Sequence, residues 1–182
     1  MKKGLSTICI VVLLLVSAFL AFLVVTTPRE KVFEKRGVTV VLESDFKVVE
    51  TEKWDFYAEN DEYAFMSTRI SKKSEIPSKE EGKPAVKLEN LTLQAYLSLT
   101  LAAYGISVDE NDGNTITIYY ADTFGSGFYY CYYKDGSGKY GYMLLVKESL
   151  NYFYTMNIAC DADQLNSSKT KMLQYAVTVT VD

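Results

Sequence analysis

Phe128 to Val146 reads FYYCYYKDGSGKYGYMLLV, and the fold turns on whether its glycine-rich centre is a phosphate loop or a hairpin. A phosphate loop requires G-x-x-x-x-G-K-[ST] between a strand and a helix, because backbone amides and the lysine must wrap one phosphate chain. Counting back from Gly138-Lys139, Tyr133 stands where the first glycine belongs. Tyr140 stands where a Ser or Thr would hold magnesium, and the residues after it are strand-like. Asp135-Gly136-Ser137-Gly138-Lys139 therefore reads as a hairpin turn.

Outward from this hairpin, strands are predicted over 115–121, 128–134, 140–147 and 150–160, with short turns rich in Gly, Asp and Ser between them. Such spacing specifies an antiparallel meander. Upstream, VTVVL from Val38, FKVVET from Phe46 and a hairpin around Asn60-Asp61 add further strands. Setting Ala58 opposite Tyr63 places Phe56 opposite Phe65 as an aromatic cross-strand pair. A helix is expected over 91–104, capped by Asn90 and ended by Gly105. Leu93, Leu97, Leu101 and Tyr104 form one stripe, and further apolar residues around the helix predict burial on more than one side. A second helix is expected after Asp161, where Asp161 and Gln164 match a capping box and Cys160 staples onto Leu165. Leu165, Met172 and Ala176 give it an apolar face, and VTVTVD beyond it favours extended chain. The fold class is thus α+β: an antiparallel sheet with two packing helices over 38–182, interrupted by a flexible, charged loop at 72–90.

The amino end predicts a different environment. After a basic tail (1–4), residues 5–27 form an uncharged, largely apolar segment, long enough to cross a bilayer as a helix. A cleaved signal peptide has a shorter apolar region and a small-x-small cleavage site, so an uncleaved transmembrane anchor is the expectation and a signal peptide the alternative. Ile8 precedes Cys9 where a lipidation motif needs a small side chain. Lys2 and Lys3 favour export of the remainder, whereas Arg29, Lys31, Lys35 and Arg36 in the charged stem (28–37) weigh the other way. Export is adopted, which places 38–182 outside the cytoplasmic membrane of a bacterium.

Residues 38–182 carry 13 Lys and Arg against 21 Asp and Glu, a net charge of −8, so nucleic acid is not an expected partner. The chain has no histidine, which excludes imidazole bases, His-containing triads and His-ligated metals. No cofactor or metal is expected. Asp109, Asp112 and Asp122 are the candidates for carboxylate catalysis, but they sit at turn positions, and DENDGN (109–114) lacks the closing glutamate of an EF-hand. The chain is read as not an enzyme.

Pairing Lys134 with Tyr140, and Lys147 with Leu150, distributes the aromatics. One face then collects Tyr129, Cys131, Tyr133, Met143, Leu145, Met156 and Ile158, and is assigned to the core beneath a helix. The other collects Phe128, Tyr130, Tyr132, Tyr142, Leu144, Val146 and Phe153. Tyrosine gives a large contact area at small entropic cost, so Phe128, Tyr130, Tyr132 and Tyr142 are the candidate interaction surface; plain strand packing is the alternative. The same register places Cys131 and Cys160 on one face, about 10 Å apart across strands and about 20 Å out of step. That exceeds disulfide reach, so both are expected to be free thiols.

The ending FYTMNIACDADQLNSSKTKMLQYAVTV (153–179) resembles the close of PsbP-like and Mog-like domains, in which a strand leads through a polar turn to a helix packed on the sheet. The resemblance spans 38–178 in outline and rests on no diagnostic motif. It implies an α+β sandwich of a non-catalytic binding and assembly family, and transfers no functional residue. The function expected is a membrane-anchored accessory or interaction domain with a protein partner. The alternative is a domain that binds a small apolar ligand between helix 91–104 and the sheet.

Overall fold

The structure, a computed structural model, describes residues 29–77, 84–106, 116–123 and 127–182. Its elements run β1 (Glu30–Lys35), β2 (Val38–Glu43), β3 (Lys47–Val48), β4 (Phe56–Glu59), β5 (Ala64–Ser71), β6 (Glu75–Ile76), β7 (Val86–Lys87), α1 (Leu93–Ala103), β8 (Tyr119–Ala121), β9 (Phe128–Lys134), β10 (Tyr140–Glu148), β11 (Tyr152–Asp161), α2 (Leu165–Thr178) and β12 (Thr180–Val181). The fold is α+β. Among the described residues a seven-stranded sheet runs β3-β4-β5-β11-β10-β9-β8, and a three-stranded sheet runs β1-β2-β12. All pairings within them are antiparallel.

Two helices cover opposite faces of the large sheet. On one side α1 seats Leu93, Tyr96, Leu97 and Leu101 against Cys131, Leu144, Val146 and Phe153. On the other, Leu165, Met172, Tyr175 and Ala176 of α2 and Val38, Val40 and Leu42 of β2 meet Phe128, Met143, Leu145, Met156 and Ile158. The centre of β10 and β11 is apolar on both faces because both faces are covered. Gly141 of β10 leaves room for α2. A Cβ there would lie 2.8 Å from the Cβ of Leu165, the first residue of the helix.

The residues expected as a stem fold instead as β1. Arg36 and Gly37 both have positive φ, 47° and 78°, the geometry of a tight hairpin turn, and Glu30–Lys35 pair with Val38–Glu43. Phe33 alone of β1 is buried; its charged neighbours suit an outer strand, where they discourage pairing with another chain.

The loop predicted over 72–90 is ordered at both ends. Glu75 and Ile76 pair with Lys87 and Val86, and Leu88–Asn90 form a 3-10 turn anchored by the buried Leu88. That turn moves the helix start past Asn90, so the cap is Thr92, whose Oγ1 accepts from Ala95 N at 3.2 Å. At the far end Gly105, at φ 72°, ends the helix as expected. Burial of α1 is one-sided: Gln94, Ser98, Ala102 and Ala103 face out. The capping box at α2 does not form. Asp161 to Gln164 make a turn closed by Gln164 N to Asp161 O at 3.0 Å, and Ala162 N donates to Lys139 O at 3.0 Å. Gln164 is already helical and makes no side-chain cap. The expected apolar face of Leu165, Met172 and Ala176 is buried, and the tail does leave the helix, as β12.

Three registers differ from expectation. Lys147 pairs with Tyr154, not Leu150, because the β10–β11 turn spans Ser149 to Asn151 with Ser149 N donating to Tyr152 O; this shift of four residues keeps the faces. Ala58 pairs with Phe65 and Phe56 with Ser67, because Asn60 to Tyr63 form the loop, with Asn60 Oδ1 accepting from the Glu62 and Tyr63 amides. The Phe56 and Phe65 rings still meet, diagonally, at 5.4 Å. The slip between β9 and β10 has larger consequences. Lys134 pairs with Gly141, not Tyr140, because Asp135 N donates to Tyr140 O and Asp135 Oδ1 accepts from Tyr140 N. The pairing thus closes one residue further along. A one-residue slip exchanges the two faces of a strand.

Candidate interaction surface

The slip divides the predicted surface. Phe128, Tyr130 and Tyr132 lie on the α2 side of the sheet, while Tyr142 lies on the α1 side. Phe128 is 0% exposed and belongs to the core, so it is removed from the surface. Cys131 and Cys160 also fall on opposite faces. Both are free and buried, as expected, although the reason is now the sheet between them. Burial pushes the Cys131 thiol up to about 12. Cys9, residues 5–27 and the carboxylates Asp109 and Asp112 lie outside the described residues. Asp122 is exposed beside β8.

What replaces the predicted surface is a pair of tyrosine clusters built by β8, β9 and β10. On the α2 side, Tyr119 of the outer strand β8 stacks on Tyr130 with ring centroids 5.2 Å apart. Tyr130 meets Tyr132 edge-on at 5.7 Å. Tyr119 is 43% exposed. Tyr132 is pinned at the inner end, with its hydroxyl donating to Lys169 O at 3.2 Å and the Lys169 ammonium 5.2 Å from its ring. Burial, then the neighbouring phenols of Tyr130 and Tyr119, raise its pKa to about 12. The ladder is thus anchored at Tyr132 and open at Tyr119. Sequence reasoning missed Tyr119 because strand 115–121 offered no register against β9, and the adjacent pair Tyr119-Tyr120 carries no signal of which ring faces α2.

On the α1 side the helix covers only part of the sheet. Beyond its last turn, Tyr133 and Tyr142 stack at 5.1 Å, and Tyr140 meets Tyr142 at 6.4 Å. Tyr133 Oη donates to Asn157 Oδ1 at 3.3 Å, and Asn157 Nδ2 reaches Tyr104 Oη at 3.5 Å. Burial, followed by the phenols of Tyr104 and Tyr142, raises the Tyr133 pKa. The small residues Ala159 and Ala64, paired in register beside Tyr142, separate these rings from Glu59 and Tyr57 on β4. Tyr57 Oη donates to Glu59. Burial, the Glu59 carboxylate and the phenols of Tyr140 and Tyr142 push Tyr57 up to about 12.

The helix–sheet interface where a small apolar ligand was considered is occupied by side chains. Tyr96 stacks on Phe153 at 4.4 Å and shares a 2.8 Å hydrogen bond with Thr155 Oγ1. Leu88, Leu97, Leu101, Cys131, Leu144 and Val146 around that stack are fully buried. Among the described residues no three His, Cys, Asp or Glu side chains converge as a metal site, and no helix is long and apolar enough to cross a membrane.

No family model matches the chain, and no curated protein matches it. The solution structure of cyanobacterial PsbP (CyanoP) from Synechocystis superposes with a TM-score of 0.53 over 87% of this chain and 95% of that one. At 14% identity the likeness concerns the fold alone. The PsbP-like part of the sequence resemblance is thereby supported in fold, and its Mog-like part is not.

Proposed function

We propose that this chain is a membrane-anchored, non-catalytic accessory domain, displayed outside the cytoplasmic membrane, that engages a protein partner through the Tyr119–Tyr130–Tyr132 ladder. The observation that carries this reading is the ladder itself: stacked phenols held from below by Lys169 and open at an outer strand. Rigid aromatic side chains of this kind give contact area with little rotamer entropy left to lose. The PsbP-like fold agrees with an accessory role, and the apolar segment 5–27 supplies the anchor.

The test is cross-linking and recovery of the full-length protein from its native membrane, beside a Tyr119→Ser/Tyr130→Ser variant whose thermal melt shows that it folds. Each buried aromatic anchor at an interface is worth more than about 1.4 kcal/mol, a factor of ten. Recovery of one specific partner should therefore fall at least about tenfold. A partner recovered equally by both proteins would reject the ladder as the contact surface.

A further inference from the structure

The register places five tyrosines and the amino-terminal entry of the fold at the same end of the molecule. The turns at Asn60–Tyr63, Asp135–Tyr140 and Asp161–Gln164 all close at one end of the large sheet. The turn after β2 joins them, since Asp45 accepts from the Asn60 side chain. Arg29 O accepts from Ser44 N at 2.5 Å, so the chain enters β1 beside that same turn. The opposite end is marked by Leu150, between β10 and β11, which is 90% exposed.

Tyr57, Tyr104, Tyr133, Tyr140 and Tyr142 cluster on the α1 side at the entry end, around Ala64 and Ala159. The apolar run of the sequence ends at Val25 and β1 begins at Glu30. Five Cα steps span at most about 18 Å. The nine residues of β10 hold the far end about 27 Å further away. Tyrosine, with an apolar ring and a polar tip, is favoured at the level of lipid headgroups. Charges at this end are net acidic, with Lys47, Lys134 and Lys139 among Asp45, Glu59, Asp61, Glu62, Asp135, Asp161 and Asp163, so Coulombic attraction to anionic lipid does not explain the clustering.

We infer that the tyrosine-bearing end of the sheet rests at the bilayer interface, with Tyr140 and Tyr142 among the headgroups. The partner is the lipid surface itself, and the inference rests on the anchor reading of residues 5–27. It leaves the Tyr119 ladder, on the opposite face, free for a protein.

The experiment uses the full-length chain with Cys9→Ser, reconstituted in phosphatidylcholine vesicles carrying a headgroup nitroxide. A fluorophore is attached either at Gly136→Cys, where a side chain meets nothing within 4 Å, or at Leu150→Cys. The expected result is flotation with the vesicles, quenching several-fold stronger at 136 than at 150, and little change with added salt. Tyr140→Ser/Tyr142→Ser should lower quenching at 136 while flotation persists. Equal quenching at the two positions, or quenching at 136 indifferent to the tyrosines, overturns the inference and leaves the anchor standing. Loss of flotation overturns the anchor and this inference together.

Discussion

Gly141→Ala sets two opposing effects against each other, and the structure decides the sign. Replacing a strand glycine by alanine narrows the unfolded ensemble, which on its own stabilises by about 0.4–1 kcal/mol. In this fold the new methyl would sit 2.8 Å from Leu165 Cβ and 3.1 Å from its Cγ and Cδ1. Carbon atoms rest comfortably at about 3.5–4.0 Å, so either β10 or the start of α2 must give by close to 1 Å. The atom met first is a Cβ, fixed by the helix backbone, and cannot swing aside as a side-chain terminus would. Overpacking of this kind costs about 1–3 kcal/mol. For a domain of this size each kcal/mol moves the melting midpoint by about 2–4 °C. The variant should therefore melt below the parent, by up to about 10 °C, in thermal or urea unfolding followed by circular dichroism. Leu165→Ala removes Cγ and Cδ1 but keeps Cβ, so the double variant should recover part of the loss, with a coupling of at least about 0.5 kcal/mol. A Gly141→Ala protein as stable as the parent, or more so, would show that α2 is not seated on this glycine.

Three further outcomes follow from buried polar groups. Tyr96→Phe strands the buried Thr155 hydroxyl, now bonded at 2.8 Å, and should cost about 1–3 kcal/mol; Tyr96→Phe/Thr155→Val should be closer to the parent in urea titration. Tyr57 and Tyr132 titrate near 12, and Tyr133 and Tyr175 are also raised above the ordinary 10. Above pH ~10 the unfolded phenols lose protons that the folded ones keep, so stability should fall as pH rises from about 10 to 12, read by denaturant melts across that range. Lys147, held below its usual range by burial, acts in the opposite sense and at lower pH: its folded form loses the proton first, so it adds stability as pH rises towards about 10.5, and Lys147→Met should remove that rise. Cys131 and Cys160 should resist alkylation in the folded protein, and mass spectrometry without reductant should find both modified after unfolding; a bridged mass would contradict their placement on opposite faces of the sheet.

The meander was legible because its turns are short and its strands β-branched or aromatic, and the Asp135–Lys139 hairpin because the phosphate-loop pattern fails at two positions. The identity of the tyrosine surface was not. Residues 128–134 and 140–147 are apolar or aromatic on both faces, since a helix covers each side, and nothing in their polarity opposes a one-residue slip. The slip was set by one carboxylate, Asp135, which draws Tyr140 into the ladder. The hidden strand β1 shows the converse: its charges describe an outer strand as well as a stem, and only Phe33 and the Arg36-Gly37 turn separate the two. Thr92 displaced Asn90 as the helix cap because Leu88, apolar in an otherwise charged stretch, found the core. The sequence carried that possibility without ranking it.

The β1–β2 hairpin and the residues from Leu165 to Val181 complete the same layer, and Thr178 Oγ1 bonds across it to Val41 N, 137 residues away in sequence. The first hairpin to be synthesised thus gains its full apolar cover only once the large sheet and then α2 have been made. Such long-range closure makes folding slow and late. On a ribosome, the early strands would leave the tunnel and wait, open and unpacked. A polypeptide whose first hairpin closes so late in synthesis stays extended and threadable for most of that time.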